Sequence, residues 1–132
     1  MEKTFRTATT FAQSKRHAIK GVKLILKNER NFRIQIIIAI IVVILSILLK
    51  ISHTHWIAVS FLIALVLITE AFNSVIEAVC DTVSKDYRVN IKYAKDVSAG
   101  AVLVSAILSV ALGLVIFTPY IVDLLNKAFA LN

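Results

Sequence analysis

Three apolar runs, at residues 32–50, 56–80 and 97–118, divide the chain, and a basic amphipathic stretch at residues 3–28 precedes them. In that stretch Phe5, Ala8, Phe11, Ala12, Ile19, Val22, Ile25 and Leu26 recur near the helical period, while Lys3, Arg6, Lys15, Arg16, Lys20, Lys23 and Lys27 mostly fill the other faces. Such a helix is expected to lie in the interface of an anionic leaflet, with lipid and not nucleic acid as the partner of its charge. The run that follows lacks a small-residue cleavage site and is too long for a signal core, which argues against a targeting peptide. From Ile34 to Leu49 it is apolar except for Gln35 and Ser46, about 24 Å of helix that flanking Phe32 and Arg33 extend to a membrane span. Trp56 opens the second run where an interfacial anchor belongs, and the third is expected to end near Phe117 with Pro119 as its stop. Residues 81–96 read as a polar loop. Lys50–His55 reads as a short solvated one, because His53 and His55 have no third metal ligand nearby. Within the third run Ala101, Ser105, Ser109 and Gly113 form a four-residue stripe of small side chains that lets helices pack closely. The fold class implied is all-α and integral to the membrane: an N-terminal surface helix plus three transmembrane helices.

Composition agrees. A chain that is 58% hydrophobic and 17% charged is not a water-soluble domain, and 132 residues leave no room for a separate soluble catalytic domain beside three spans. Any chemistry belongs to the spans and their connections. The one cysteine, Cys80, permits no disulfide within the chain and reads as a small buried apolar residue. No cysteine and histidine cluster has zinc spacing, three glycines make no phosphate loop, and no nucleophile elbow is present. Of fifteen Lys and Arg, nine precede the first span and four lie in the second connection, leaving Lys50 and Lys127 for the other side. That asymmetry places the N-terminus and the second connection in the cytoplasm of a multi-pass protein of the cell membrane.

The candidate chemistry sits at the polar end of the second run. Glu70, Asn73, Glu77 and Asp81 are spaced three, four and four residues apart, which stacks them on one helical face. Glu70 lies about 21 Å from Trp56 along the helix, still inside the far leaflet. A charged side chain in mid-bilayer costs about 2.5–3.5 kcal/mol, so a partner is expected, and a cation is the obvious one. A column of caps and interhelical hydrogen bonds would need only Asn73 or one glutamate. Carboxylates at a cytoplasmic interface suit Mg²⁺, which is held by one or two of them together with substrate phosphates. Phosphoryl transfer needs little more: a metal, a cation for the developing charge, and a base to orient the acceptor hydroxyl. Glu70, the deepest, is placed to face a lipid hydroxyl as that base, and Lys95 can be the cation. Glu29 stands in the polar turn before the first span, where pairing with Arg33 is the simpler role. The rival class is a small oligomeric pore with carboxylates lining a cation path, but such a path would spread them along a span instead of crowding them beside Lys95 and Asp96.

These residues also carry a resemblance. Asn28-Glu29 with Phe32-Arg33, Glu70-x-x-Asn73-Ser74-x-Ile76-Glu77-x-x-x-Asp81, Tyr87, and Ala94-Lys95-Asp96 with Ala99-Gly100-Ala101-Val102-Leu103 resemble the prokaryotic diacylglycerol kinase family from about Lys20 to Leu114, in order and with near-identical spacing. The flavour is closer to its Gram-positive undecaprenol kinase branch. The resemblance implies a homotrimer with sites shared between neighbouring subunits, ATP as phosphoryl donor, Mg²⁺, and a membrane lipid as acceptor, undecaprenol or alternatively diacylglycerol. It makes Glu70 the general base, with Asn73 and Lys95 also catalytic, and Glu29 and Glu77 the metal ligands. It places His17, Glu29, Glu77, Asp81, Asp86, Tyr87, Arg88, Lys95 and Asp96 around ATP, and Trp56, Glu70 and Ala99 against the lipid. Arg88 stands where the family usually has histidine.

Overall fold

The computed structural model describes residues 10–83 and 88–130, and these form four α-helices: α1 (Phe11–Asn28), α2 (Arg30–Leu48), α3 (His53–Val83) and α4 (Val89–Ala130). Three of them, α2, α3 and α4, are long and apolar enough to cross a membrane. At 1.5 Å per residue α2, with 19 residues, measures about 28 Å, close to the hydrocarbon thickness. By the same rise α3 and α4, with 31 and 42 residues, are about 46 and 63 Å long and extend beyond it. The chain pairs α3 with α4, sets α2 against α3, and joins α1 to α2. Ile37, Ile41, Ile44, Leu103, Ile107 and Val110 point outward and are exposed, an apolar surface that suits lipid or a neighbouring chain instead of water.

Helix boundaries follow from capping chemistry. Thr10 opens α1 with a capping box: its Oγ1 accepts from the Gln13 amide at 3.4 Å and its own N–H donates to Gln13 Oε1 at 3.1 Å, satisfying two otherwise orphan donors. Glu29, in extended conformation, separates α1 from α2. Arg33 Nη1 then reaches back to the carbonyls of Leu26 (3.1 Å) and Lys27 (2.8 Å), two acceptors that the end of α1 leaves unsatisfied. Arg33 thus fixes the bend instead of pairing with Glu29. After α2, Lys50 takes a left-handed φ of 50°, its N–H bonds Ile47 O (3.1 Å) and the Ile51 N–H bonds Ser46 O (3.3 Å). That is a Schellman ending, with buried Ile51 as its apolar contact.

Three stretches depart from the sequence reading. Pro119 does not stop the third apolar helix, because α4 continues through it to Ala130. Pro119 removes the donor to the Val115 carbonyl, a local loss of one bond that a long apolar helix tolerates without ending. The polar stretch 81–96 is mostly helical, since α3 runs to Val83 and α4 begins at Val89; solvated helix ends explain polarity as well as a loop does. His53 and His55 likewise belong to the first turn of α3.

The small-residue stripe packs α4 on α3, with a shift of register. Ser105 Oγ meets Thr69 Oγ1 at 2.8 Å and Ser109 Oγ donates to Leu62 O at 3.5 Å, but Ala101 is exposed while Ser98 is buried. A strict four-residue spacing precesses by about 40° per step around a 3.6-residue helix, so the stripe leaves the interface after a few turns. The apolar core gathers at the end of the bundle away from the acidic column, where Ile51, Val59, Leu62, Ile116 and Phe117 are buried together.

Candidate active site

The α3 column is graded from buried to exposed. Glu70 is only 3% exposed, and α2 supplies its partner: Gln35 Nε2 donates to Glu70 Oε2 at 3.0 Å. One turn on, buried Asn73 donates from Nδ2 to Glu77 Oε1 at 3.3 Å and accepts at Oδ1 from Ser98 Oγ of α4 at 2.7 Å. Asp81, at the exposed end, accepts from Lys95 Nζ of α4 at 2.5 Å. Glu29 stands at the turn between α1 and α2, near enough to Glu70, as is Glu77, for the like charges to be felt there. Asn73 therefore orients Glu77, and Ser98 orients Asn73.

The expected cation beside Glu70 is replaced by an amide. Depth is the reason, since Lys95 sits level with Asp81, eleven residues or about 16 Å along α3 from Glu70. A hydrogen bond to a charged group contributes about 1.5–3 kcal/mol, which offsets the cost of placing that charge among apolar helices without making the contact a net stabiliser. Lys95 and Asp96 do not pair with each other either. Lys95 turns to Asp81 and Asp96 accepts from Lys92 at 2.6 Å, because neighbouring helical residues point about 100° apart.

The remaining candidates are dispersed. His17 is exposed on α1, twelve residues or about 18 Å along the axis from Glu29. Arg88 and Ala99 are exposed, at the start of α4 and one residue past Ser98. Trp56 packs half-buried on the apolar core at the opposite end of α3. Asp86 and Tyr87 lie outside the described residues. Among the described residues no three His, Cys, Asp or Glu side chains come close enough to hold a metal by themselves. Sequence reasoning missed the roles of Gln35 and Ser98. The signal for Gln35 was its standing as the lone amide in the apolar run from Ile34 to Leu49; for Ser98, a position one turn after Lys95.

A groove of about 420 Å³ runs between α2, α3 and α4. Gln35 lies at one end, Thr118 and Ile121 at the other, and Val42, Val59, Leu62, Val66, Val110 and Phe117 line its length. The groove thus reaches Gln35, whose amide holds the buried carboxylate of Glu70.

Residues 16–117 match the prokaryotic diacylglycerol kinase family. The chain belongs to that family. Members of this family are lipid kinases, which decides between enzyme and pore in favour of an enzyme that catalyses ATP-dependent phosphoryl transfer. Among curated relatives, an undecaprenol kinase of Bacillus subtilis is 35% identical over 109 residues, covering 83% of this chain and 89% of its own. A diacylglycerol kinase of Synechocystis is 36% identical over 125 residues, covering 92% of this chain and 70% of its own. The family match spans Glu29, the whole α3 column, Lys95 and Ser98, and leaves out the last turns of α4.

Proposed function

We propose that the protein phosphorylates undecaprenol, transferring the γ-phosphoryl group of ATP to its terminal hydroxyl. The observation that carries this reading is Glu70, a buried carboxylate held by Gln35, whose side chain lines an apolar groove. An acceptor with a long apolar body and one hydroxyl fits that geometry. Undecaprenol is favoured over diacylglycerol because the undecaprenol kinase aligns over 89% of its length, against 70% for the diacylglycerol kinase.

In the reaction Glu70 takes the proton of the acceptor hydroxyl as its oxygen bonds the γ-phosphorus, and the bond from that phosphorus to the β,γ-bridging oxygen breaks to release ADP. Lys95, paired with Asp81 at the exposed end about 16 Å along α3 from Glu70, would act from the nucleotide side, on the charge of the ATP phosphates. Asn73 holds Glu77 in register from its anchor on Ser98. The oxygen-only donor set fits Mg²⁺: two carboxylates short of a full cage are what this ion takes when phosphates complete its shell. Glu29 and Glu77 would hold it, and when bound it supplies neutralisation of the phosphate charge. The positive-residue asymmetry puts this end on the cytoplasmic side, and the exposed apolar faces and open groove are consistent with three copies packing around shared sites.

Purified protein in sealed vesicles tests the reading. With labelled ATP outside, inside-out vesicles should label undecaprenol faster than diacylglycerol, and right-side-out vesicles should label neither. Equal or preferential labelling of diacylglycerol overturns the acceptor, and activity from the other face overturns the orientation. Detergent-solubilised protein should have a protein mass of about three chains.

A further inference from the structure

Gln35 interrupts an apolar helix, and its amide is only half satisfied. Its Nε2 donates to Glu70, whereas its Oε1 is buried without a hydrogen-bond partner among the described residues. An unsatisfied buried acceptor is destabilising. Its neighbours Ile34, Ile36, Ile37 and Ile38 show what a residue chosen for the bilayer alone would be. As a purely structural feature, then, an amide here is a poor choice, and the contact that singles it out is the one to Glu70.

We propose that Gln35 is a positioning residue that serves Glu70 in both of its protonation states. This rests on Glu70 being the base of a lipid kinase. Before transfer the carboxylate only accepts, and the amide donates to Oε2, which fixes the side chain and leaves the other oxygen of Glu70 for the acceptor hydroxyl. After transfer the carboxylic acid has a proton to donate, and the unpartnered Oε1 can accept it once the amide turns about its terminal bond. No proton is lost or gained by Gln35, because it exchanges the role of donor for that of acceptor. A cation at this position would favour only the ionised base and would oppose its taking the proton. An aliphatic residue would leave the carboxyl free to rotate. The remaining charges near Glu70, Glu29 and Glu77, are like-charged and cannot donate when ionised; Ser98 and Lys95 of α4 are engaged by Asn73 and Asp81.

The test is Gln35→Met, which keeps length and helical preference but removes both hydrogen-bonding atoms, compared with Gln35→His, which retains a donor and an acceptor on one side chain. Initial rates of lipid phosphorylation are measured against both ATP and lipid. Gln35→Met should lower kcat by roughly 10- to 100-fold, the range of general acid–base contributions and their supports, with the KM for ATP and lipid within about twofold. Gln35→His should recover most of that loss. Added to Glu70→Gln, Gln35→Met should cost nothing further, since residues acting through one another are non-additive. The proposal fails if Gln35→Met keeps kcat within twofold, if the loss falls on KM, if His gives no recovery, or if Gln35→Met cannot assemble, which would make Gln35 structural. Full activity in Glu70→Gln would instead overturn the base itself, and with it the parent reading.

Discussion

At the end of the α3–α4 pair that carries His55 and Tyr120, uncharged donors and acceptors close on one another; at the end that carries Glu70, three carboxylates are paired with only one cation. Tyr120 Oη accepts from the Ser52 N–H at 3.0 Å and meets His55 Nδ1 at 2.8 Å, with the two rings edge-on at 5.6 Å, beside the core of Ile51, Val59, Leu62, Ile116 and Phe117. Each polar atom named there has a neutral partner, and packing does the rest. The Glu70 end instead lines up three carboxylates on one face of α3, answered by one amide, one serine relay and a single ammonium group. On the proposed function, that run of carboxylates is capacity held for a ligand. The contrast implies that substitutions at one end should change catalysis and at the other should change only the mechanical join.

The largest break in that comparison should come from Glu70→Gln. It keeps the size of the side chain and removes the base, and general base contributions run to about 10²–10⁴-fold in rate. Binding of Mg-ATP should persist, because Glu77 and Asp81 lie about 10 and 16 Å further along the helix. Titration with a fluorescent ATP analogue alongside the lipid assay checks both halves. Loss of nucleotide binding together with activity would move Glu70 from base to ligand.

Next in size is Glu77→Gln, which should cost about 10²-fold in kcat/KM through weaker Mg-ATP binding and be partly offset by raised magnesium, as expected where one of two carboxylate ligands is lost. Chelating the metal should abolish turnover in every variant. Normal turnover of Glu77→Gln at ordinary magnesium would end its assignment. Lys95→Ala should follow with about a tenfold loss in kcat; a full phosphate-stabilising donor contributes more, but this one is partly exposed and shares its charge with Asp81.

Much of this organisation is legible in the residue pattern, and the misses have a common cause. The stacking of Glu70, Asn73, Glu77 and Asp81 follows from spacing within a single helix, and so does the burial gradient, because depth along a helix is arithmetic. Gln35 meeting Glu70, Ser98 meeting Asn73 and Lys95 meeting Asp81 depend on the rotation of α2 and α4 against α3, which no one helix encodes. Pro119 misled for a different reason: its helix-stopping effect assumes water, and membrane helices tolerate proline, so α4 continues through it. Polarity at residues 81–83 and 89–96 suggested loop because solvated helix ends and loops share composition.

The smallest effect should come from the far end, and it sharpens the comparison most. Tyr120→Phe removes the hydroxyl that joins the Ser52 amide to His55 and preserves the ring that packs at the edge of the core. If that end is a mechanical join, kcat and both KM values should stay within about twofold, because the hydroxyl lies at the opposite end of the α3–α4 pair from Glu70 and its partners are replaceable by water at an exposed position. Thermal inactivation in detergent should become slightly faster, since the connection between α2 and α3 loses its tie to α4. The pair of measurements separates the two ends: faster inactivation with unchanged kcat is the signature of a join, while a tenfold fall in kcat would mean that the ends communicate along α3 and α4.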